Sequence, residues 1–481
     1  MKKLLLSMLL VGAMAIPAFA SVQNVKVSGS IDSTWLNRKN FDLGDFAYDP
    51  IINNGQSEDT HQNLFITQTT LQIDADLTDN VSATIGLINE RVWQGDPSTT
   101  ASGTGIDLNL AYITLREMLY SPLTVVIGRQ AFSYGNSFIM DSSGTNNSAP
   151  TDSGLNNVAE DLTKQTALDA VRLIFDYNPL TVEVMYSKIS SGVVLADEDH
   201  TVDDIDLFGV NATYELGDAM NTQIETYFFA RTDKRTNDGD ALNGTKSSKI
   251  YIPGLRASTN PIEGLNIQGE IALQRGNTAS TTNDADNQRR KALGAQFLST
   301  YQVPVAQDYN PVLQYKFTYV SGDSNPTDAR SNSATTPASS DVNTAWDPFY
   351  ENQDGGTIYN SLFSLSNLII HSVSLQANPM EDVTTKVSLT GLWLDKEVDK
   401  AYSGTGSESW TLVQPGGSSA APDVNKDGTA LGYEIDLDAI YDYTEDVQFG
   451  ATVGWFVPGS LFEQRNDSVA SQVLVHSNVN F

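Results

Sequence analysis

Two superimposed alternations constrain this chain more than anything else in it. From Val25 onward the sequence repeats segments of about ten to fourteen residues in which apolar and polar side chains alternate, the pattern of a strand with one oily face. The stretch "TLQIDADLTDNVSATIGLI" shows the unit: Leu71, Ile73, Ala75 and Leu77 share one parity against Gln72, Asp74 and Asp76, and after a polar turn Val81, Ala83, Ile85 and Leu87 resume it. That is a β-hairpin. The second alternation lies in the connections. Every second one is short ("LTDN", "EMLYS", "NPL", "LGDAM", "TNPIEG", "VPVAQDYN", "NPMED", "YTED"). The others are long and rich in Ser, Thr, Asn, Asp and Gly, as in 131–165, 322–366 and 396–429.

Strands are expected near 24–38, 62–77, 80–93, 106–116, 122–130, 166–177, 180–188, 205–216, 221–231, 249–258, 264–275, 290–302, 311–321, 367–377, 383–395, 430–443, 446–457 and 469–481. This is roughly eighteen, in the range where a closed antiparallel barrel encloses an aqueous lumen. A soluble sandwich gives no reason for short and long connections to alternate through the whole chain. A transmembrane barrel does, with short periplasmic turns at one rim and long extracellular loops at the other. The expected fold class is therefore all-β, a transmembrane antiparallel β-barrel with its apolar faces toward lipid and its polar faces toward the lumen.

The N-terminus agrees with export. "MKKLLLSMLLVGAMAIPAFA" joins Lys2 and Lys3 to an apolar run and the small-residue site Ala18-Phe19-Ala20, so residues 1–20 read as a signal peptide and 21–481 as one barrel domain in the bacterial outer membrane. No later apolar run is long enough for a transmembrane helix. Cysteine is absent, which excludes disulfides, thiolate metal sites and cysteine nucleophiles. A net charge of -31 excludes the basic footprint that nucleic-acid binding needs. The chain ends in "SQVLVHSNVNF", an alternating strand closed by Phe481, which reads as the last barrel strand and as a sorting signal for the barrel-assembly machinery. Tyr177, Tyr186, Tyr214, Tyr301, Tyr319, Trp393, Tyr441, Tyr443 and Trp455 lie on or beside apolar faces, as interfacial girdles require.

Four stretches carry a more specific signal: "LNLAYITL" (108–115), "VVIGRQAFSYGN" (125–136), "DAVRLIFDY" (169–177) and "LGYEIDLDAIYDYTEDVQFGATVGWFVPGSLF" (431–462). They resemble the alginate-export family of outer-membrane barrels. The resemblance implies an eighteen-stranded, monomeric barrel that passes its substrate by facilitated diffusion, with a basic lumen guiding a polyanion. This chain departs from that pattern. It offers Arg129, Arg172 and Arg231 as candidate lumenal cations but far more acid, and "YTED" leaves no room for a periplasmic plug between the last hairpins.

Taking the polar parity as inward, the expected pore lining contains Asp74, Asp76, Glu90, Asp176, Glu183, Glu225, Glu270, Glu434, Asp436, Asp438 and Asp442 with Arg172, Arg231, Lys316 and Lys386. Arg129 is ambiguous, because Val125 and Ile127 share its parity. The acid ladder in "YEIDLDAIYD" is the densest feature, and such a stripe favours cations in a narrow channel. "DVNKDGTALGYE" matches part of a calcium-loop pattern, with Asp423, Asn425 and Asp427 as candidate ligands in an extracellular loop, against the alternative of an ordinary polar turn. "AWDPFYENQDGGTIYNSLF" (345–363) sets Trp346, Phe349, Tyr350 and Tyr359 among polar groups, suited to stacking on sugar, to narrowing the pore from within, or to a small loop core.

Catalysis finds no support: His61, His200, His371 and His476 are scattered and no nucleophile-base set can be assembled. The expected function is an outer-membrane channel for small hydrophilic solutes or a saccharide, without a cofactor. The competing class is a structural or surface-binding barrel whose acidic loops engage divalent ions, lipopolysaccharide or another cell.

Overall fold

A computed structural model describes residues 24–41, 43, 61–93, 105–119, 122–141, 153–155, 158–165, 167–190, 205–233, 247–278, 288–323, 342–353, 356–397, 428–462 and 467–481. The expected signal peptide, residues 1–20, lies outside them, as do the candidate calcium ligands Asp423, Asn425 and Asp427. In chain order the strands are β1 (Asn24–Lys39), β2 (His61–Thr78), β3 (Val81–Val92), β4 (Asp107–Leu115), β5 (Leu123–Gln130), β6 (Ser133–Tyr134), β7 (Met140–Asp141), β8 (Leu168–Asp176), β9 (Leu180–Ser190), β10 (Ile205–Glu215), β11 (Gln223–Asp233), β12 (Ser248–Ile262), β13 (Leu265–Thr278), β14 (Gln288–Gln302), β15 (Val312–Val320), β16 (Val342–Asn343), β17 (Leu368–Met380), β18 (Val383–Leu394), β19 (Ala430–Asp442), β20 (Val447–Pro458) and β21 (Ala470–Asn480).

Setting aside the two-residue strands β6, β7 and β16, eighteen strands form a closed antiparallel barrel, each paired with its neighbour in the chain. The seam is β1 against β21, from Ser30↔Asn480 to Lys39↔Ser471. It is extended by main-chain bonds between Gly29 and Phe481 in both directions, at 2.8 and 3.0 Å. Closure leaves no unpaired edge, which a lipid environment would penalise by several kcal/mol per orphaned peptide group. Alternation sets the two faces. Val27, Ile31, Ile85, Leu255, Ile271, Leu389 and Val475 stand exposed on the outside, while Gln68, Glu90, Asn211, Glu225, Glu270, Gln296 and Thr390 are buried within. Of the expected girdle residues, Tyr177, Tyr186, Tyr214, Trp393, Tyr441, Tyr443 and Trp455 are exposed.

All eight short connections fall on one rim. Two are tighter than expected. β12 continues to Ile262 and β17 to Met380, each through a register shift that contains a proline, Pro261 or Pro379. A proline can be carried there because a bulge leaves its residue without a ladder hydrogen bond to donate.

A larger difference lies inside the barrel. Alternation alone makes the inner face polar along its whole height. Toward the long-loop rim it is instead apolar: Leu207, Phe229, Ile250, Ile252, Leu392, Leu394 and Phe456 point inward and are buried. They pack against two connections that fold into the lumen. The first, after β5, carries Phe132, Tyr134, Phe138, Ile139 and Met140 on the β6–β7 hairpin, and continues through 153–165. The second runs from β16, which pairs in parallel with β14, to a single helical turn at Tyr359–Leu362, and brings Trp346, Phe349, Ile358, Tyr359, Leu362 and Phe363. Phe138 stacks on Trp346 with centroids 5.6 Å apart, joining the two insertions, and Met140 bridges to Tyr350. Each large side chain buried this way contributes about 1.5–3 kcal/mol. The described residues of the aromatic run 345–363 thus fold into the lumen. Trp346, Phe349 and Tyr359 are buried in its packing and present no face for stacking on sugar.

Candidate functional site

The lumen is built around carboxylates, and each of the most buried ones holds an insertion in place. Glu90 on β3 accepts from Ser153 Oγ and Thr163 Oγ1 at 2.7 Å each, from the Lys164 main-chain N–H at 2.7 Å and from Gln68 Nε2 at 2.6 Å. Beside it Arg38 grips Asp161 of the same insertion with both guanidinium nitrogens, at 2.5 and 3.0 Å, and Lys164 reaches Asp32 at 3.1 Å. Among the described residues of 153–165 the regular structure is one turn of 3-10 helix, so side chains of the wall satisfy peptide groups there.

Glu183, Glu225 and Glu270 do the same for the tip after β6. Glu225 accepts the Gly135 N–H at 3.1 Å and Glu270 the Asn136 N–H at 3.2 Å. Tyr134 donates its hydroxyl to Glu183 at 3.0 Å, and Tyr227 donates to Glu270 at 2.7 Å. Arg172 pairs with Glu183 at 2.5 Å and lies over the rings of Phe132 and Tyr134. Arg256 bonds Asn136 at 2.9 Å and Glu225 at 3.3 Å.

The acid ladder on β19 serves the second insertion. Glu434, fully buried, accepts the N–H groups of Ile358 and Tyr359 at 2.8 and 2.7 Å, while Asp436 accepts Thr357 Oγ1 at 2.8 Å. Further along this insertion Asp347 receives Arg231 at 2.9 Å on each oxygen and Arg290 at 3.8 Å. Gln274 brackets the Asp347 peptide, accepting its N–H and donating to its carbonyl. Burial pushes the Tyr350 phenol above its usual value, and the neighbouring Arg231 guanidinium opposes part of that rise.

Toward the short-turn rim the lumen is lined by hydroxyls, amides and less buried charges. Asp74 accepts from Thr84 at 2.7 Å and Gln72 at 2.9 Å, Asp438 from Thr452 at 2.7 Å, and Asp442 from Gln448 at 2.8 Å. Ser30 pairs with Thr70, and Ser372 with Thr390. Asp76 and Asp176 are exposed at strand ends, with Asp176 accepting the Asn178 N–H at 3.1 Å. Lys316 stands in register with Ser372 and Lys386 with Asp438, both on the inward parity.

Arg129 stands apart from the lumen. It is in register with Asp169 and pairs with it at 3.5 Å, on the outward parity of Ile127 and Val171. The neighbouring strand decides what β5 alone left open, since Val171 opposes Ile127 and is itself exposed. The parity reading also passed over Arg38, Arg256, Arg290 and Asp347. Arg256 was accessible to it, because it alternates with Leu255 on β12. Asp347 was not, since a residue in an irregular loop carries no parity.

The sequence matches the alginate export family over residues 45–476. No curated protein matches it significantly. Solved structures of similar fold include three from Pseudomonas aeruginosa: OpdK with vanillate (8% identity, TM-score 0.53, covering 96% of this chain and 100% of that one); OccK2 (OpdF) in complex with glucuronate (10%, 0.52, 96% and 99%); and OprD (10%, 0.51, 96% and 96%). At such identities they attest the shared barrel architecture. With nine-tenths of its length matched and a closed eighteen-stranded barrel oily on the outside, the chain belongs to the alginate export family of outer-membrane β-barrels.

Proposed function

We propose that the protein is a diffusion channel for small hydrophilic solutes, neutral or cationic and of the saccharide or polyol class, narrowed by two lumenal insertions. One observation carries this reading. Every arginine that the described barrel strands turn inward is matched to a carboxylate: Arg38 to Asp161, Arg172 to Glu183, Arg231 and Arg290 to Asp347, and Arg256 to Glu225. A lumen that attracts a polyanion needs guanidinium charge in excess of its acids. Here the charge is matched in the constricted half, and the other half offers hydroxyls and amides with Asp74, Asp438 and Asp442. Such a surface exchanges hydrogen bonds with a hydrated polyol at little cost, and its remaining acids give a modest cation preference. That OccK2 is solved with glucuronate is compatible with a saccharide-sized passage in this barrel class.

The test is conductance and reversal potential of the refolded protein in a planar bilayer under a salt gradient, followed by liposome swelling with neutral sugars and with a uronate oligomer. A weakly cation-selective channel that admits neutral sugars supports the proposal. Anion selectivity with preference for the uronate overturns it. No conductance, in the native protein or in variants that free the insertions, assigns the barrel to the scaffold class.

A further inference from the structure

The outer wall carries one feature that the lumen does not explain. At the long-loop ends of β12, β13 and β14, Lys249, Arg275, Arg289 and Lys291 all take the outward parity and are exposed. The register fixes their neighbourhood. Tyr251 opposes Arg275, Arg275 opposes Lys291, and Asn277 lies between Lys249 and Arg289. Four cations from three adjacent strands therefore share one patch on a chain whose net charge is -31. Among the described residues no carboxylate lies within ion-pair distance of any of them. Two other outward cations near this rim are neutralised, Arg129 by Asp169 and Lys188 by Asp206. The Arg275 side chain is anchored rather than loose: its Nη1 donates to the carbonyls of Gln274 at 2.8 Å and Ala292 at 3.3 Å, leaving its other donors free to turn outward.

Height identifies the partner. Directly toward the membrane centre the same faces carry Leu255, Ile271, Leu273 and Phe297, all exposed and apolar, and Tyr251 stacks on Phe228 at 6.2 Å just beside the cations. Aromatic side chains mark the boundary between hydrocarbon and headgroup. The patch thus stands at headgroup level on the extracellular side, and like-charge crowding of this kind is tolerated where an anion bridges the cations.

We propose that Lys249, Arg275, Arg289 and Lys291 form a binding site for the phosphate groups of an outer-leaflet glycolipid of the lipid A type. Arginine supplies forked donors for phosphate oxygens and lysine a mobile point charge. The acyl chains lie along Leu255, Ile271 and Leu273. The site rests on the barrel's place in the outer membrane and is independent of what passes through the lumen.

The test is native mass spectrometry of the refolded full-length mature protein in detergent, titrated with diphosphorylated lipid A and with the same lipid after removal of its phosphates. Wild type should retain the phosphorylated form at least about tenfold more tightly, as expected when several basic side chains act together near a charged lipid surface. Arg275→Gln with Lys291→Gln should remove most of that preference, and the fourfold variant with Lys249→Gln and Arg289→Gln should abolish it. Arg129→Gln with Lys188→Gln, which removes equal charge from the same rim, should leave it unchanged. Equal retention of both lipids by wild type overturns the site, as does a preference that survives the fourfold variant. Loss of preference in the Arg129/Lys188 variant reduces it to net charge and likewise overturns it. Heat-modifiable gel migration verifies that each variant is a folded barrel.

Discussion

The carboxylate of Glu434 lies 2.7 Å from the main-chain nitrogen of Tyr359, across 75 residues of sequence. The neighbouring N–H of Ile358 reaches the same carboxylate at 2.8 Å. Both donors open a four-residue helical turn, whose first N–H groups have no partner within the turn itself. Replacing Glu434→Ala therefore strands two buried donors. A buried donor left without its acceptor costs about 1–3 kcal/mol, so the 357–363 segment should leave the lumen far more often. Single-channel records should show a larger mean conductance with new open levels, and heat-modifiable migration should be unchanged. Wild-type conductance in Glu434→Ala would mean that this carboxylate does not hold the constriction.

Glu90 makes the parallel case for the first insertion. Glu90→Gln keeps the size of the side chain but places an amide NH2 among donors: Ser153 Oγ, Thr163 Oγ1, the Lys164 N–H and Gln68 Nε2. The Ser153 and Thr163 hydroxyls can turn to accept from the new amide, but all four hydrogen bonds lose their carboxylate acceptor, at a cost of about 2 kcal/mol. Protease accessibility of the 153–165 segment in the refolded barrel should rise at least tenfold, with that of the short turns unchanged. Equal cleavage rates would show that the Arg38–Asp161 and Lys164–Asp32 pairs secure the segment without Glu90.

How much of this was legible follows from what parity can and cannot encode. The strand at 430–443 was readable because Tyr433, Ile435, Leu437 and Ala439 alternate with Glu434, Asp436 and Asp438, and lipid demands that alternation wherever it touches the wall. The same rule placed Glu90, Glu183, Glu225 and Glu270 inside. What those acids do was not readable. Their partners are peptide N–H groups of Gly135, Asn136, Ile358, Tyr359 and Lys164, which no side-chain pattern marks. An acidic inner face therefore looked like a field for cations, whereas much of it holds insertions. The inward Phe229, Ile252 and Phe456 were hidden for a related reason. Where a strand packs against a lumenal insertion both faces can be apolar, and period-two alternation fades.

Asp347 sits between Arg231 at 2.9 Å and Arg290 at 3.8 Å. Asp347→Ala leaves two guanidiniums in the constricted half with one fewer acid to balance them. The reversal potential should move toward anion selectivity, with the permeability ratio changing about two- to threefold, and the shift should shrink at high salt as screening takes over. Arg231→Gln in the same background should return most of it. No movement of the reversal potential would place Asp347 off the ion path.

Gly294 tests whether the two insertions move as one body. A Cβ added there would stand 2.7 Å from Phe138 Cζ and 2.9 Å from Trp346 Cη2, the two rings that join the insertions. Gly294→Val must therefore displace both side chains, with overpacking of this kind costing about 1–3 kcal/mol. The barrel register should survive, since the neighbours of Gly294 across the sheet are Ala272 and Val320, whose pairing depends on the main chain. Gly269→Ala on β13, where an added Cβ meets nothing within 4 Å, is the silent control. The expected result is a single new conductance level in Gly294→Val, reached in one step, with protease accessibility rising together at 136–140 and 342–353. Two separable steps, or cleavage in only one insertion, would show that the Phe138–Trp346 stack does not couple them and that Glu90 and Glu434 act on independent gates.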